Sequence, residues 1–336
     1  MSTRPGPARP TIYDVARRAE VSKSLDSLVL RNSPLVSAAR RAAVIEAIDA
    51  LGYRPSRAAS ALASNRSRSI GVLIDDYRNL WFVALLDGIR AVFDEEGYHV
   101  GVSDLHARSG HASDPIAGFV SLHVDGLIIA AEPSNLGPRD LEVPAVVVGG
   151  RALRIPGTDV VANDDRAGAA LAVGHLRSLG HTRIGHVSDM GGAAKLRREG
   201  YADAMRAAGL EPITFGSHRA TNEADGYAGT MDLLAEHPDV TAVFAANDTM
   251  AMGTFGALRD RGLAAPGDVS VMGYDDSPLA HSRLLDLTTV DDRSETVGRD
   301  AALALLTRLE DPSTPAGTTL VRPRVVERGT TRRITG

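Results

Sequence analysis

A small all-α helix-turn-helix headpiece joined to an α/β core of two doubly wound parallel-sheet subdomains is the architecture the sequence predicts. Three observations carry that expectation. Charge is split: residues 1–68 hold 12 Lys+Arg against 5 Asp+Glu, while the remaining 268 hold 25 against 37. A small basic front on a larger acidic body points to an anionic partner for the front alone. Next, three helical patterns fit within about 45 residues at the start. From Ser69 onward, apolar runs alternate with longer helical segments, the βα alternation of parallel sheets.

Residues 1–10 are polar and proline-rich and are expected to be a disordered tail. They carry no apolar stretch of the kind that directs secretion. The stretch TIYDVARRA then forms a first short helix, capped by Thr11, with Ile12, Val15, Ala16 and Ala19 along one side. Glu20 and Val21 make a tight break, and Ser22 caps a second helix through VSKSLDSLVL. A third helix runs from about Ser37 to Leu51, with Val44, Ile45, Ile48 and Leu51 inward and Gly52 ending it. Residues 11–55 thus make a helix-turn-helix unit. The Ala/Ser-rich stretch 56–68 has room for a helix of about nine residues, too short to stand alone, and is read as a linker that becomes helical when held.

In the core, 69–336, the strand candidates are IGVLI, HVGV, GLIIA, AVVV, RIGHV, AVFAA and VSVMG. Helical segments follow most of them: Trp81–Glu96, Arg166–Leu179, Lys195–Ala208 and Thr249–Arg261. The expected division places 69–162 and 291–312 in one subdomain and 163–290 and 313–330 in the other. Ligands of such sheets bind beyond the carboxyl ends of the strands.

The chain contains no cysteine, which excludes disulfides and thiolate metal sites. Its longest apolar runs are far too short to span a bilayer. GxGxxG, GxxxxGK[ST], HExxH and GxSxG are absent, so dinucleotide, nucleotide-hydrolase, zinc-protease and hydrolase chemistry lack their signatures. The histidine cluster His175, His181 and His186 is read as structural, since His181 falls just past a helix end at Gly180. Four Asp-Asp pairs stand out: Asp75-Asp76, Asp164-Asp165, Asp275-Asp276 and Asp291-Asp292. Without a nucleophile motif or metal spacing, carboxylates that accept hydrogen bonds from ligand hydroxyls suit them better than catalysis. No enzyme activity, metal or cofactor is expected.

At this point the sequence resembles the LacI (lac-repressor-like) family of bacterial transcription regulators. TIYDVARRAEVSKSLDSLVL is similar to the family's helix-turn-helix opening and GYRPSRAASALA to its hinge. HLRSLGHTRIGHV, RREGYADAM and NDTMAMGTFGALRDRGLAAPGDVSVMGYDDSPLA followed by LTTV are similar to its core, all in family order. The resemblance implies a periplasmic-binding-protein-like core and a cytoplasmic, nucleoid-associated homodimer on a pseudo-palindromic double-stranded operator. Regulation by a small effector, a sugar or related polyol, follows with it. A cytosolic sensor with weakened DNA binding is the alternative.

By family position, Lys23, Ser24, Ser27 and Leu28 would meet base edges, lysine through guanine O6/N7 and leucine through a thymine methyl. Tyr13, Ser22, Asn32 and Ser37 would position phosphates. Arg57, with Ala59 and Ala63 on the hinge face, would lie against the minor groove, and Leu62 matches the family's leucine wedge. The effector contacts implied are Asp76, Asn79 and Phe82 after the first strand, then Arg197, Asn247 and Asp275. Trp81 or Phe82 would cover the apolar face of a ring. Leu80 and Leu285 stand where relatives usually have proline.

Two residues depart from the headpiece pattern. Glu20 occupies the turn position where glycine is usual, and a positive φ there costs about 1 kcal/mol. Asp26 sits where an apolar residue normally packs against the first helix, about 60° from Val29 on the helical wheel. It is expected to reach the rim and pair with Arg17 or Arg18, and Asp26→Val to stabilise the headpiece and strengthen DNA binding.

Overall fold

The computed structural model describes residues 10–22, 36–53, 66–105, 115–131, 141–150, 155–216 and 220–334. Two compact units divide the chain, Met1–Ser67 and Arg68–Gly336.

In the first unit, α1 (Ile12–Arg18) and α2 (Ala38–Leu51) are described. The N–H and hydroxyl of Thr11 both donate to the Asp14 carboxylate, at 2.9 and 2.7 Å, which fixes the first turn of α1. Val15, Val36, Val44, Ala47 and Tyr53 form the centre of its core, with Ile12, Ala19, Val21, Ile48 and Leu51 packed against them. Ile45 is expected inward but is 49% exposed; around the helix it lies about 60° from Ile48 and about 100° or more from Val44, Ala47 and Leu51, and Ala47 takes the inner place. The expected second helix and most of the hinge lie outside the described residues. With them lie Lys23, Ser24, Asp26, Ser27, Leu28, Asn32, Arg57, Ala59, Leu62 and Ala63. Arg17, one proposed partner of Asp26, is paired with Asp14.

The turn after α1 bears out the suspicion about Glu20. Its φ is +51°, and the Val21 N–H reaches back to the Ala16 carbonyl at 3.0 Å, the six-residue closure that favours glycine at the left-handed position. Glu20→Gly is therefore expected to stabilise the first unit by about 1 kcal/mol. Slower amide exchange of α1 in the full chain would show it; unchanged exchange would mean that the glutamate adopts this conformation without cost.

The second unit contains two six-stranded sheets. Their strands are β1 (Ser69–Ile74), β2 (His99–Asp104), β3 (Gly126–Ala130), β4 (Ala145–Val148), β5 (Asp159–Asn163), β6 (Ile184–Val187), β7 (Ile213–Phe215), β8 (Ala242–Ala245), β9 (Ser270–Tyr274), β10 (Thr289–Asp291), β11 (Thr318–Val321) and β12 (Arg324–Val326). The first sheet runs β11-β5-β4-β3-β1-β2, all parallel. The second runs β12-β10-β9-β8-β6-β7, parallel except for β12 against β10. β3, β4, β6, β8 and β9 are buried along their whole length, which is why they read as continuous apolar runs.

The helices of this unit are α3 (Trp81–Glu95), α4 (Pro115–Ser121), α5 (Asp165–Ser178), α6 (Gly192–Ala207), α7 (Glu223–Glu236), α8 (Asp248–Asp260) and α9 (Ser294–Glu310). The chain passes between the sheets after β5, β10 and β11. The last crossing corrects the expected division: Thr318–Val321 pairs with β5 in the first sheet, so 313–330 does not lie wholly in the second subdomain.

Helices α3 and α9 cross through glycines. A Cβ on Gly88 would lie 2.1 Å from the Glu295 carbonyl oxygen, and one on Gly298 would lie 2.2 Å from that of Leu85. Both obstacles are backbone and cannot rotate away. Gly88→Ala is expected to cost about 1–3 kcal/mol by forcing the helices apart, read as a lower midpoint in urea unfolding; an unchanged midpoint would show that the pair separates freely.

Candidate functional site

All four Asp-Asp pairs stand at the carboxyl ends of parallel strands: Asp75-Asp76 after β1, Asp164-Asp165 after β5, Asp275-Asp276 after β9, and Asp291-Asp292 at the end of β10. That is where the crevice of a doubly wound sheet forms. Three of the pairs send one member to the same cation. From α6, the Nε of Arg197 donates to Asp165 at 2.8 Å, and Nη1 lies 2.9 Å from Asp275 and Nη2 3.8 Å from Asp292. Nη1 also donates to the Ala246 carbonyl at 2.7 Å, and the guanidinium lies 3.7 Å from the centre of the Tyr274 ring. The Asp292 carboxylate accepts from the Trp81 indole at 2.8 Å and from both the N–H and the hydroxyl of Ser294.

The cluster is buried, with the Arg197 side chain 7% exposed and that of Asp292 0%. Burial alone would lower the Arg197 pKa, but Asp275, Asp165 and Asp292 outweigh it and hold the guanidinium charged. Burial pushes Asp275 up to about 7, against the pull of Arg197. Asp292 is pushed well above the usual carboxylate range by burial and by Asp275. One guanidinium facing three carboxylates leaves an excess of negative charge when all ionise. Near neutral pH the group therefore retains a proton, as like charges in one desolvated site require.

The loop carrying Asp275 is braced from below. Asp275 and Asp276 have φ of +97° and +49°. Asp248, at the start of α8, accepts from the Ser277 N–H at 2.7 Å and the Thr289 hydroxyl at 2.6 Å, and burial raises its pKa to about 6. Asp276 is anchored separately by Arg328 at 2.7 Å. The surrounding contacts hold this otherwise unfavoured backbone.

A cavity of about 200 Å³ adjoins the cluster, lined by Trp81, Ala84 and Asp87 of α3 and by Asp275, Ser277, His281 and Ser294 among others.

Of the residues anticipated from sequence, Arg197 and Asp275 come together here. The others divide. Asp76 is held by Arg78 in the loop after β1, at 2.7 Å. The Asn79 carboxamide accepts from the Trp81 N–H at 3.1 Å and so sets the start of α3. Phe82 is 2% exposed within the first subdomain's core, edge-on to Trp81, so the ring at the cavity is Trp81 and Phe82 supports it from behind. Asn247 caps α8, accepting from the Met250 N–H at 2.8 Å and donating to the Thr221 carbonyl at 3.0 Å; both ends of its amide are engaged. Asp165 and Asp292 were visible only as members of paired carboxylates, and nothing in their spacing assigns them to Arg197.

The three histidines point to separate partners. His175 meets the Thr331 hydroxyl at 3.2 Å. His181 lies between the Thr241 hydroxyl and the Arg332 carbonyl. His186 is stacked between Tyr201 and Phe244 with Nδ1 at the Phe244 carbonyl. Among the described residues no His, Asp and Glu side chains gather as a metal site. In the first unit, Tyr13 is 61% exposed, and Ser22 and Ser37 lie at the surface.

Comparison with known proteins bears on both units. A model of bacterial regulatory proteins of the lacI family matches residues 11–56, and one of periplasmic binding protein-like domains matches 173–331. The chain is 32% identical to the HTH-type transcriptional regulator GalR of Escherichia coli (strain K12) over 333 residues, covering 95% of this chain and 94% of GalR. Among solved structures, a complex of the transcriptional regulator CelR with cellobiose is 28% identical, with a TM-score of 0.68 over 96% of this chain and 100% of that one. The lac repressor dimer bound to operator and the anti-inducer ONPF is 27% identical, with a TM-score of 0.81 over 97% and 100%.

Proposed function

The chain belongs to the lacI family of bacterial regulatory proteins and is a DNA-binding transcriptional regulator, not an enzyme; from that premise we propose how its operator affinity is set. The effector is a neutral polyhydroxylated small molecule, a sugar or related polyol, held in the cleft against Arg197 and Asp275 beneath Trp81. One observation carries this reading: a single guanidinium meets three carboxylates at the strand ends. Hydroxyl groups donate to carboxylates and accept from a guanidinium, so a polyol satisfies both. A phosphorylated or carboxylated effector would add to the existing excess of negative charge. The sugar in the CelR complex supports the same choice.

At the other end, the protein acts as a homodimeric repressor on a pseudo-palindromic operator in the cytoplasm, at nucleoid DNA. Lys23, Ser24, Ser27 and Leu28 read bases, while Tyr13, Ser22, Asn32 and Ser37 hold phosphates. The hinge of residues 56–68 enters the minor groove with Leu62. The resemblance to an operator-bound lac repressor dimer supports this. No described helix is long and apolar enough to cross a membrane.

Calorimetric titration of the full chain with neutral mono- and disaccharides and with their phosphates tests the effector. Neutral sugars are expected to bind, their phosphates not, and Asp275→Asn to weaken binding about tenfold, the loss of one hydrogen bond to a charged group. Binding of the phosphates alone would overturn the reading.

A further inference from the structure

The three crossings between the sheets are tied to one another, and one tie leads into the cleft. Asn163, ending β5, donates its amide to the Asp292 carbonyl at 2.7 Å. The Asp164 N–H bonds to the Val321 carbonyl, ending β11, at 3.0 Å. Asp291 accepts from Arg324, beginning β12, at 2.8 Å. The Asp292 backbone thus belongs to the crossings, while its side chain serves the cleft. One carboxylate oxygen takes both donors of Ser294. The other takes the Trp81 indole of the first subdomain at 2.8 Å and faces Arg197 of the second at 3.8 Å.

Asp165 holds Arg197 more closely, at 2.8 Å, but it begins α5, which packs beside α6 in the same subdomain. That bond cannot relay between subdomains. Asp292 is the residue through which Arg197 reaches Trp81.

We infer that Asp292 is a positioning residue that joins the cleft floor, the opposite subdomain and the crossings into one mechanical unit, so that a displacement of Arg197 is felt at Trp81 and at the crossings through it. The inference rests on the proposed function only in placing Arg197 among the effector contacts. It predicts coupling between sites, which a double-substitution cycle measures directly.

The chain carries its own reporter, since Trp81 is its single tryptophan. The cycle compares the full-length protein with Arg197→Lys, Asp292→Asn and the double variant, reading Trp81 emission and amide exchange over residues 289–294 and 321–326. Arg197→Lys alone is expected to shift the emission and to speed exchange about tenfold. In the Asp292→Asn background the same change is expected to add less than about twofold. Equal effects of Arg197→Lys in both backgrounds, or none on Trp81 and the crossings in either, would overturn the inference. Should Asp292→Asn fail to fold, Ser294→Ala, which removes the hydroxyl donor to the other carboxylate oxygen and leaves it only the backbone N–H, takes its place with the same expectation. No ligand enters the cycle, so its failure leaves the sugar reading standing, and a failed sugar titration leaves the cycle interpretable.

Discussion

Replacing Arg197 with alanine is expected to lower the stability of the second unit by about 3–5 kcal/mol and to abolish the effector response. The magnitude is that of a buried ion pair broken by removing one partner, which strands charge in a desolvated site. Here three carboxylates are stranded rather than one, and the cation packed on the Tyr274 ring goes with them. The loss also acquires a pH dependence. Without the guanidinium, Asp275 and Asp292 bind protons more tightly in the folded state than in the unfolded chain. A group whose folded pKa is raised contributes most below its unfolded value, and that contribution fades as pH rises through the folded one. The deficit of Arg197→Ala should therefore be smaller at pH 5 than at pH 8. Urea unfolding at the two values measures it. A deficit below about 1 kcal/mol and flat with pH would mean that the carboxylates are solvated. Adding Asp165→Asn to the alanine variant should recover part of the loss, because it removes one stranded charge.

Which parts of this molecule could be read from its residues follows from where each strand lies. β3, β4, β6, β8 and β9 are covered on both faces, and a strand covered on both faces must be apolar throughout. The missed strands are different. β7, β10 and β12 have three residues each, and β11 is mostly exposed at a sheet edge. β5 begins and ends in polar residues, Asp159 and Asn163, because it leads into a crossing. Missing β5 hid the strand that delivers Asp165, and missing β11 assigned residues 318–321 to the wrong sheet.

The site divides in the same way. Arg197 and Asp275 fall within motifs dense enough to be noticed, so they were anticipated. Asp292 and Trp81 are 211 positions apart, and only the return of the chain through β10 brings them to 2.8 Å. Asn247 stands among site residues by sequence, and its amide also caps α8 and ties it to Thr221.

His186→Phe is expected to leave the protein near wild-type stability at pH 7.5 and to make it more stable than wild type at pH 4.5. His186 is fully buried, stacked 4.9 and 4.6 Å from the rings of Tyr201 and Phe244, and burial holds its pKa down at about 3. The unfolded chain binds a proton at this residue below about 6.5, while the folded chain does not until about 3. Between those values the unfolded state carries the extra proton, so stability rises with pH; it is fully present above 6.5 and lost as pH falls. At about 1.4 kcal/mol for each tenfold change, the whole window is worth about 5 kcal/mol. Asp248 and Asp275 act in the opposite sense. Burial raises their folded pKa values to about 6 and about 7, so their contribution is greatest in acid and is lost as pH rises. The wild-type profile between pH 4.5 and 6.5 therefore sets buried histidines, His186 foremost with His175 and His181 lowered by burial in the same sense, against these carboxylates. Phenylalanine keeps the stacked ring and removes the most strongly shifted of these histidines. The gap between variant and wild type should widen by about 1.4 kcal/mol for each pH unit below 6.5, reaching about 2–3 kcal/mol at pH 4.5. Thermal unfolding of the two proteins at half-unit intervals would show diverging curves. Parallel curves would mean that His186 becomes protonated in the folded state as readily as in the unfolded one, so that its burial carries no acid sensitivity at all.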